Sequence, residues 1–122
     1  MHKIIIIEDN KIDAQLLEKN LKQAKANLQP IFCRTFRESL DTIREEKDVK
    51  LILLDLNLPD NWGISSVRDL KAYCPRIPIL VTTGIAGDLT IKESIKAGAS
   101  GLMLKSSITP TSLARAIDNN AA

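Results

Sequence analysis

The chain has 122 residues, 44% hydrophobic and 26% charged, a length that fits one domain with a real core and a balance that excludes a disordered chain. Its formal charge of +2 is small, and Lys and Arg are scattered without a basic run or interleaved aromatics, so direct nucleic-acid binding is not expected. The apolar runs are too short for a secretory leader or a membrane span, so the expected location is the cytoplasm, away from the membrane.

The first element is HKIIIIEDN, residues 2–10, in which the isoleucines Ile4–Ile7 run straight into Glu8 and Asp9. A short apolar run without alternation is the pattern of a strand covered on both faces. Ile12, Leu16, Leu17, Leu21 and Ala24 follow at helical spacing, with Asn10 or Asp13 near the start. A shorter run, Ile31–Cys33, precedes Arg34 and Thr35; then Phe36, Leu40 and Ile43 make a second helical stripe that ends in charged residues. The third run is KLILLDLNLPDN, residues 50–61, where Leu51–Leu54 end in Asp55 and the chain breaks at Pro59, Asp60 and Asn61. Val67 and Leu70 indicate a third helix, stopped by Pro75 and Pro78.

Ile77–Val81 is a fourth strand ending in Thr82, Thr83 and Gly84. In the helix after it, Ile91 and Ile95 share a face, Thr90 and Glu93 have capping-box spacing, and Gly98 is the expected stop. Leu102–Leu104 lead to Lys105, and Thr109-Pro110 reads as a cap with proline at the first helical position, before Leu113, Ala116 and Ile117. With only four aromatics, the core is built from Leu, Ile, Val and Ala. Cys33 and Cys74 lack a CxxC or a nearby His and read as buried free thiols.

Five strands alternating with five helices imply right-handed crossovers and a parallel sheet covered on both faces. Ligands of such sheets sit beyond the carboxyl ends of the strands. Glu8 and Asp9 stand at the end of the first strand and Asp55 at the end of the third; if those strands are neighbours, three carboxylates converge. Crowded carboxylates repel unless a cation joins them, and oxygen-only ligands suit a hard ion that keeps its waters, such as Mg²⁺. Attack of a carboxylate on phosphorus needs that neutralisation, with Lys105 and a Thr hydroxyl serving the remaining oxygens. Taken singly, each residue also has an ordinary explanation: Asp55 as a turn residue, Glu8-Asp9 as a helix cap, Thr83 as turn chemistry, Lys105 as a solvated strand end. Their order at successive strand ends is what makes them a set.

That set resembles the receiver domain of two-component response regulators, over essentially the whole chain. IIIIEDN is similar to the family's first strand with its acidic pair, LILLDLNLPD to its phosphoacceptor segment with Gly63 opening the next helix, PILVTTG to its fourth strand, and KAGASGLMLK to the segment ending in its lysine. The resemblance implies a flavodoxin-like, doubly wound five-stranded sheet of order 2-1-3-4-5 with five helices. It implies one receiver domain over residues 1–122, with no output domain in this chain. It further implies that Asp55 accepts a phosphoryl group from a histidine kinase or phosphotransfer protein. Asp9 would bind Mg²⁺ directly, Glu8 through water and Asn57 through its backbone carbonyl; Mn²⁺ or Ca²⁺ would substitute. Thr83, rather than Thr82, matches the hydroxyl position, and Lys105 would pair with Asp55 or its phosphoryl group.

On this reading the output is binding to a downstream protein through the face of the fourth helix, fifth strand and fifth helix, and the only catalysis is the chain's own phosphorylation and dephosphorylation. Leu102 stands where the family has a switch aromatic, so aromatic-coupled switching is expected to be weakened or replaced. Ser106 replaces the common proline after the lysine, which argues against a cis peptide there. Trp62 is expected near the pocket, as loop packing or partner recognition, and Ile85 to overlook it and hinder water. Other classes remain: a pseudo-receiver that binds partners without phosphate, an aspartyl-nucleophile phosphatase (against which Asn57 stands where a second Asp is usual), or a flavin protein, for which no phosphate loop follows the first strand.

Overall fold

The computed structural model describes residues 2–25, 27–84 and 87–120. Its strands are β1 (His2–Ile7), β2 (Leu28–Cys33), β3 (Val49–Asp55), β4 (Ile79–Thr83) and β5 (Gly101–Leu104); its α-helices are α1 (Lys11–Ala24), α2 (Phe36–Glu45), α3 (Ile64–Tyr73), α4 (Asp88–Ala97) and α5 (Pro110–Asn120). The strands form one sheet of order β2-β1-β3-β4-β5, parallel throughout. The flavodoxin-like topology expected from the sequence is therefore the one observed.

Alternation along the strands builds two cores. Ile5, Ile7, Ile52, Leu54, Ile79 and Val81 pack with residues of α2 and α3 on one face. Ile4, Ile6, Leu51, Leu53 and Leu80 pack with Leu17 and Leu21 of α1 and Leu113 and Ile117 of α5 on the other. Every side chain of Ile4–Ile7 and Leu51–Leu54 is at most 1% exposed, which is why both runs lack polar alternation. Each such side chain contributes roughly 1.5–3 kcal/mol by leaving water.

Several boundaries differ from the sequence reading. β2 begins at Leu28 and tolerates Pro30 because it is an edge strand. β4 begins at Ile79 rather than Ile77, which lies in the turn that Cys74 anchors by accepting a bond from the Ile77 amide. In α1, Asn10 caps by accepting from the Asp13 amide at 3.0 Å, but Ile12 and Leu16 face solvent. The inner stripe is Asp13, Leu17, Leu21, with Leu17 and Leu21 buried.

α4 differs most. It opens at Gly87, not in a Thr90/Glu93 capping box, and Ile91 and Ile95 point outward. The inner side is held by small residues: Ser94 is fully buried and Ala97 packs against the core, letting the helix lie close to the sheet. Gly98 ends α4 at φ 121°, where an added Cβ would lie 2.6 Å from Lys71 Cγ. α5 starts as expected, with Thr109 Oγ1 accepting from the Ser112 amide at 3.0 Å and Pro110 as its first residue. Both cysteines are buried free thiols whose pKa values burial pushes up.

One cap comes from a distant loop. The Asp60 carboxylate accepts from the amides of Phe36 and Arg37 at 2.8 and 2.9 Å, closing the start of α2 from the β3–α3 loop. Burial alone would raise its pKa; the two amides and the Arg37 charge outweigh it and hold the carboxyl below its ordinary value. A depressed carboxyl stabilises above its unfolded pKa and loses that contribution as pH falls through the folded one. Asp60→Asn is therefore expected to cost about 1 kcal/mol at pH 7 in urea unfolding, with the gap from wild type closing below about pH 4. An equal gap at pH 3 and pH 7 would contradict the assignment.

Candidate functional site

All five strands end on one edge, and alternation decides what each delivers there. Ile4 and Ile6, Leu51 and Leu53, Leu80 and Met103 face α1 and α5; one step further along the same face stand Glu8, Asp55, Thr82 and Lys105. Glu8 and Asp55 are each 3% exposed and Thr82 2%. The Lys105 ammonium lies 3.0 Å from Glu8 Oε1 and 3.3 Å from Asp55 Oδ2, and it donates to Asp13 Oδ2 at 2.9 Å. One cation thus faces three carboxylates from β1, α1 and β3. A cavity of about 100 Å³ opens beside it, between α1 and the turn after β5, lined by Glu8, Asp13, Leu16, Thr82, Lys105 and Ile108.

The charges are not balanced. Burial, then the neighbouring Asp55 carboxyl, pushes Glu8 up to about 7 against the pull of Lys105. Burial would lower the Lys105 pKa, but the hydrogen bond to Asp13 and the negative charges of Glu8 and Asp55 raise it above its ordinary value. Glu8 Oε2 accepts from the Asn10 amide at 3.1 Å, whereas the buried Oε1, although close to the ammonium, accepts no hydrogen bond. Asp55 Oδ1 accepts from the Asn57 amide at 3.1 Å, fixing the carboxylate at the head of its loop.

The remaining predicted residues divide. Asp9 is exposed beside Glu8. Asn57 pairs with Trp62 in an isolated bridge, and its Oδ1 accepts from Trp62 Nε1 at 2.7 Å; the indole is 73% exposed, so it covers the loop only in part. Thr83 lies on the other side of β4 from Thr82, lining an open groove of about 510 Å³ with Asn57, Trp62, Ile64, Gly84 and Thr90. Leu102 is half-buried, its aliphatic side chain packed against the α2/α3 core. Ile85 lies outside the described residues. No described peptide bond is cis.

Sequence reasoning missed Asp13 as a site residue. The signal was there: four residues before Leu17 and eight before Leu21, it is an acid on the buried stripe of α1. Among the described residues no three acidic, His or Cys side chains form a ready-made metal cage. The donor chemistry nevertheless fits a hard, hydrated divalent ion. A buried carboxylate oxygen lacks a hydrogen bond, surplus negative charge surrounds one ammonium, and further oxygens stand at Asp9, Asp55 and Asn57.

The family model described as response regulator receiver domain matches residues 4–118. The cell cycle response regulator CtrA of Brucella ovis is 32% identical over 103 residues, covering 84% of this chain and 43% of that protein. This chain spans about half or less of the curated relatives it matches, 48% and 43%. Among solved structures, a CheY-like response regulator receiver domain protein from Methanospirillum hungatei JF-1 superposes with TM-score 0.82 at 24% identity, over 97% of this chain and 91% of that one. The phosphorylated cyanobacterial phytochrome response regulator RcpA superposes with TM-score 0.76 at 27% identity, over 96% and 89%. No described helix is long and apolar enough to cross a membrane.

Proposed function

Since the chain belongs to the response regulator receiver domain family, we propose that it is a phosphorylation-controlled switch in which Asp55 takes a phosphoryl group from a histidine kinase or phosphotransfer protein. The observation that carries this reading is the buried Asp55 carboxylate held at a strand end, one oxygen on its own loop's amide and the other facing Lys105. An Asp55 oxygen attacks phosphorus as the bond to the donor breaks, and the donor keeps that electron pair. Lys105 meets the charge on the phosphoryl oxygens, and the Thr83 hydroxyl, across β4 in the groove with Asn57, serves one that projects to that side. Asp9, Glu8 and Asp55, with the Asn57 carbonyl, would hold a Mg²⁺, or Mn²⁺ or Ca²⁺ in its place, and the bound ion would supply the rest of the neutralisation.

The output is binding of a downstream protein at α4, β5 and α5. Its support is the outward pair Ile91 and Ile95, one turn apart on α4 and 41% and 47% exposed. A pseudo-receiver that binds partners without phosphate is the second reading, favoured by Leu102, which supplies no ring to couple the site to that face.

Trp62, the one tryptophan, is bonded to Asn57 beside the phosphoacceptor, so its fluorescence reports on the site. Beryllofluoride, a phosphoryl mimic, is expected to change that fluorescence only when Mg²⁺ is present. No change at saturating beryllofluoride and Mg²⁺, together with no uptake of phosphate from acetyl phosphate, would favour the pseudo-receiver.

A further inference from the structure

The Lys105 ammonium has three protons and three carboxylate neighbours, and they are not equivalent. Asp13 Oδ2 is nearest, at 2.9 Å, and is the one that accepts a hydrogen bond. Glu8 Oε1 at 3.0 Å is an ion pair without hydrogen-bond geometry, and Asp55 Oδ2 at 3.3 Å is the most distant. The amine that must serve a phosphoryl group on Asp55 is therefore held best by a residue of α1. Asp13 takes the place of an apolar residue on the stripe continued by Leu17 and Leu21, and it lines the cavity next to Lys105 while its side chain stays 35% exposed.

We propose that Asp13 is a positioning residue that tethers Lys105 to α1 in the unphosphorylated protein and must release it for the ammonium to reach a phosphoryl group on Asp55. The inference rests on the reading of Asp55 as phosphoacceptor and deepens it. A carboxylate has fixed charge and a single best donor here, so Asp13 and the phosphoryl oxygens compete for one ammonium. The tether sets the affinity of the site for a phosphoryl group lower than Asp55 and the metal set alone would give. Because Asp13 belongs to α1, release of Lys105 also frees the first turns of that helix from the β5–α5 turn.

The test is beryllofluoride titration of the full chain with saturating Mg²⁺, read by Trp62 fluorescence, on wild type, Asp13→Asn, Asp13→Glu and Glu18→Gln. Asp13→Asn keeps the shape and removes the charge; it is expected to bind beryllofluoride about fivefold more tightly, the scale of one partly exposed ion pair. Asp13→Glu restores the tether and returns the affinity toward wild type. Glu18→Gln removes the same charge from α1 at an exposed residue without an ion pair to Lys105, and it leaves the affinity unchanged. Unchanged or weaker binding by Asp13→Asn overturns the tether, as does equal tightening by Glu18→Gln, which would assign the effect to net charge. Wild-type protein that takes up neither beryllofluoride nor phosphate overturns the phosphoacceptor reading itself, and the tether with it.

Discussion

Asp55→Asn is expected to abolish phosphoryl uptake from acetyl phosphate and Mg²⁺ while leaving the fold intact and, in metal-free buffer, more stable. The loss follows because an amide oxygen is not a nucleophile toward phosphorus. Glu8 is as deeply buried and has the same pattern of contacts, one oxygen on the Asn10 amide and the other against Lys105, but in the proposed site its role is to hold the metal. The fold survives because the substituted side chain keeps the shape and still offers an oxygen to the Asn57 amide, the bond that Asp55 Oδ1 accepts in the wild type. The stability gain follows from charge. Glu8 and Asp55 are both 3% exposed and share one ammonium with Asp13, so removing one charge relieves repulsion by about 1 kcal/mol. Urea unfolding in EDTA checks the stability arm, and intact mass after acetyl phosphate treatment checks the chemistry. A phosphorylated Asp55→Asn protein, or one that fails to fold, would contradict the account.

Lys105→Ala is expected to act in both directions at once. Without the ammonium, three carboxylates face one another across the cavity with no shared cation. Removing one member of a buried pair is costly, and the lysine side chain is 23% exposed, so the loss is discounted to about 2 kcal/mol at pH 8 without metal. Its pH dependence has a definite sign. Glu8, already raised to about 7, is raised further once the ammonium is gone. A carboxyl raised in the folded state favours folding at low pH and gives that up as pH rises, so the variant is hurt more at pH 8 than at pH 5. Saturating Mg²⁺ is expected to restore much of the difference, since it supplies the missing positive charge. The rate of phosphoryl uptake falls about a hundredfold, the scale of losing one preorganised donor to a developing charge. A variant as stable as wild type in EDTA at pH 8 would mean that the three contacts carry no net energy.

How much of this was legible beforehand depends on what kind of signal each residue sends. The sheet was readable because Ile4–Ile7 and Leu51–Leu54 are buried on both faces, and a run of aliphatics ending in an acid has few other uses. Glu8, Asp55 and Lys105 were readable for the same reason, since parallel strands must deliver their last residues to a single edge. α4 was misread in its facing. Helical periodicity marks Ile91 and Ile95, but close approach to the sheet selects Ser94 and Ala97, whose small size carries no hydrophobic signal. Ile12 and Leu16 on α1 likewise face solvent. Asp13 was passed over because an acid in the first turn of a helix ordinarily serves the helix dipole. Only the position of Lys105 across the cavity shows that it serves a second partner. Asp60 reads in the sequence only as part of a chain break, since a cap formed by a carboxylate 24 residues away leaves no local pattern.

The most direct measurement is peptide mapping by mass spectrometry after brief treatment of the wild-type chain with acetyl phosphate, with Mg²⁺ and with EDTA. The account predicts one base-labile phosphoryl group on the peptide spanning Leu51–Leu58, localised to Asp55 and absent in EDTA. A phosphoryl group on any other residue, its formation in EDTA, or no added group with Mg²⁺ present would contradict it.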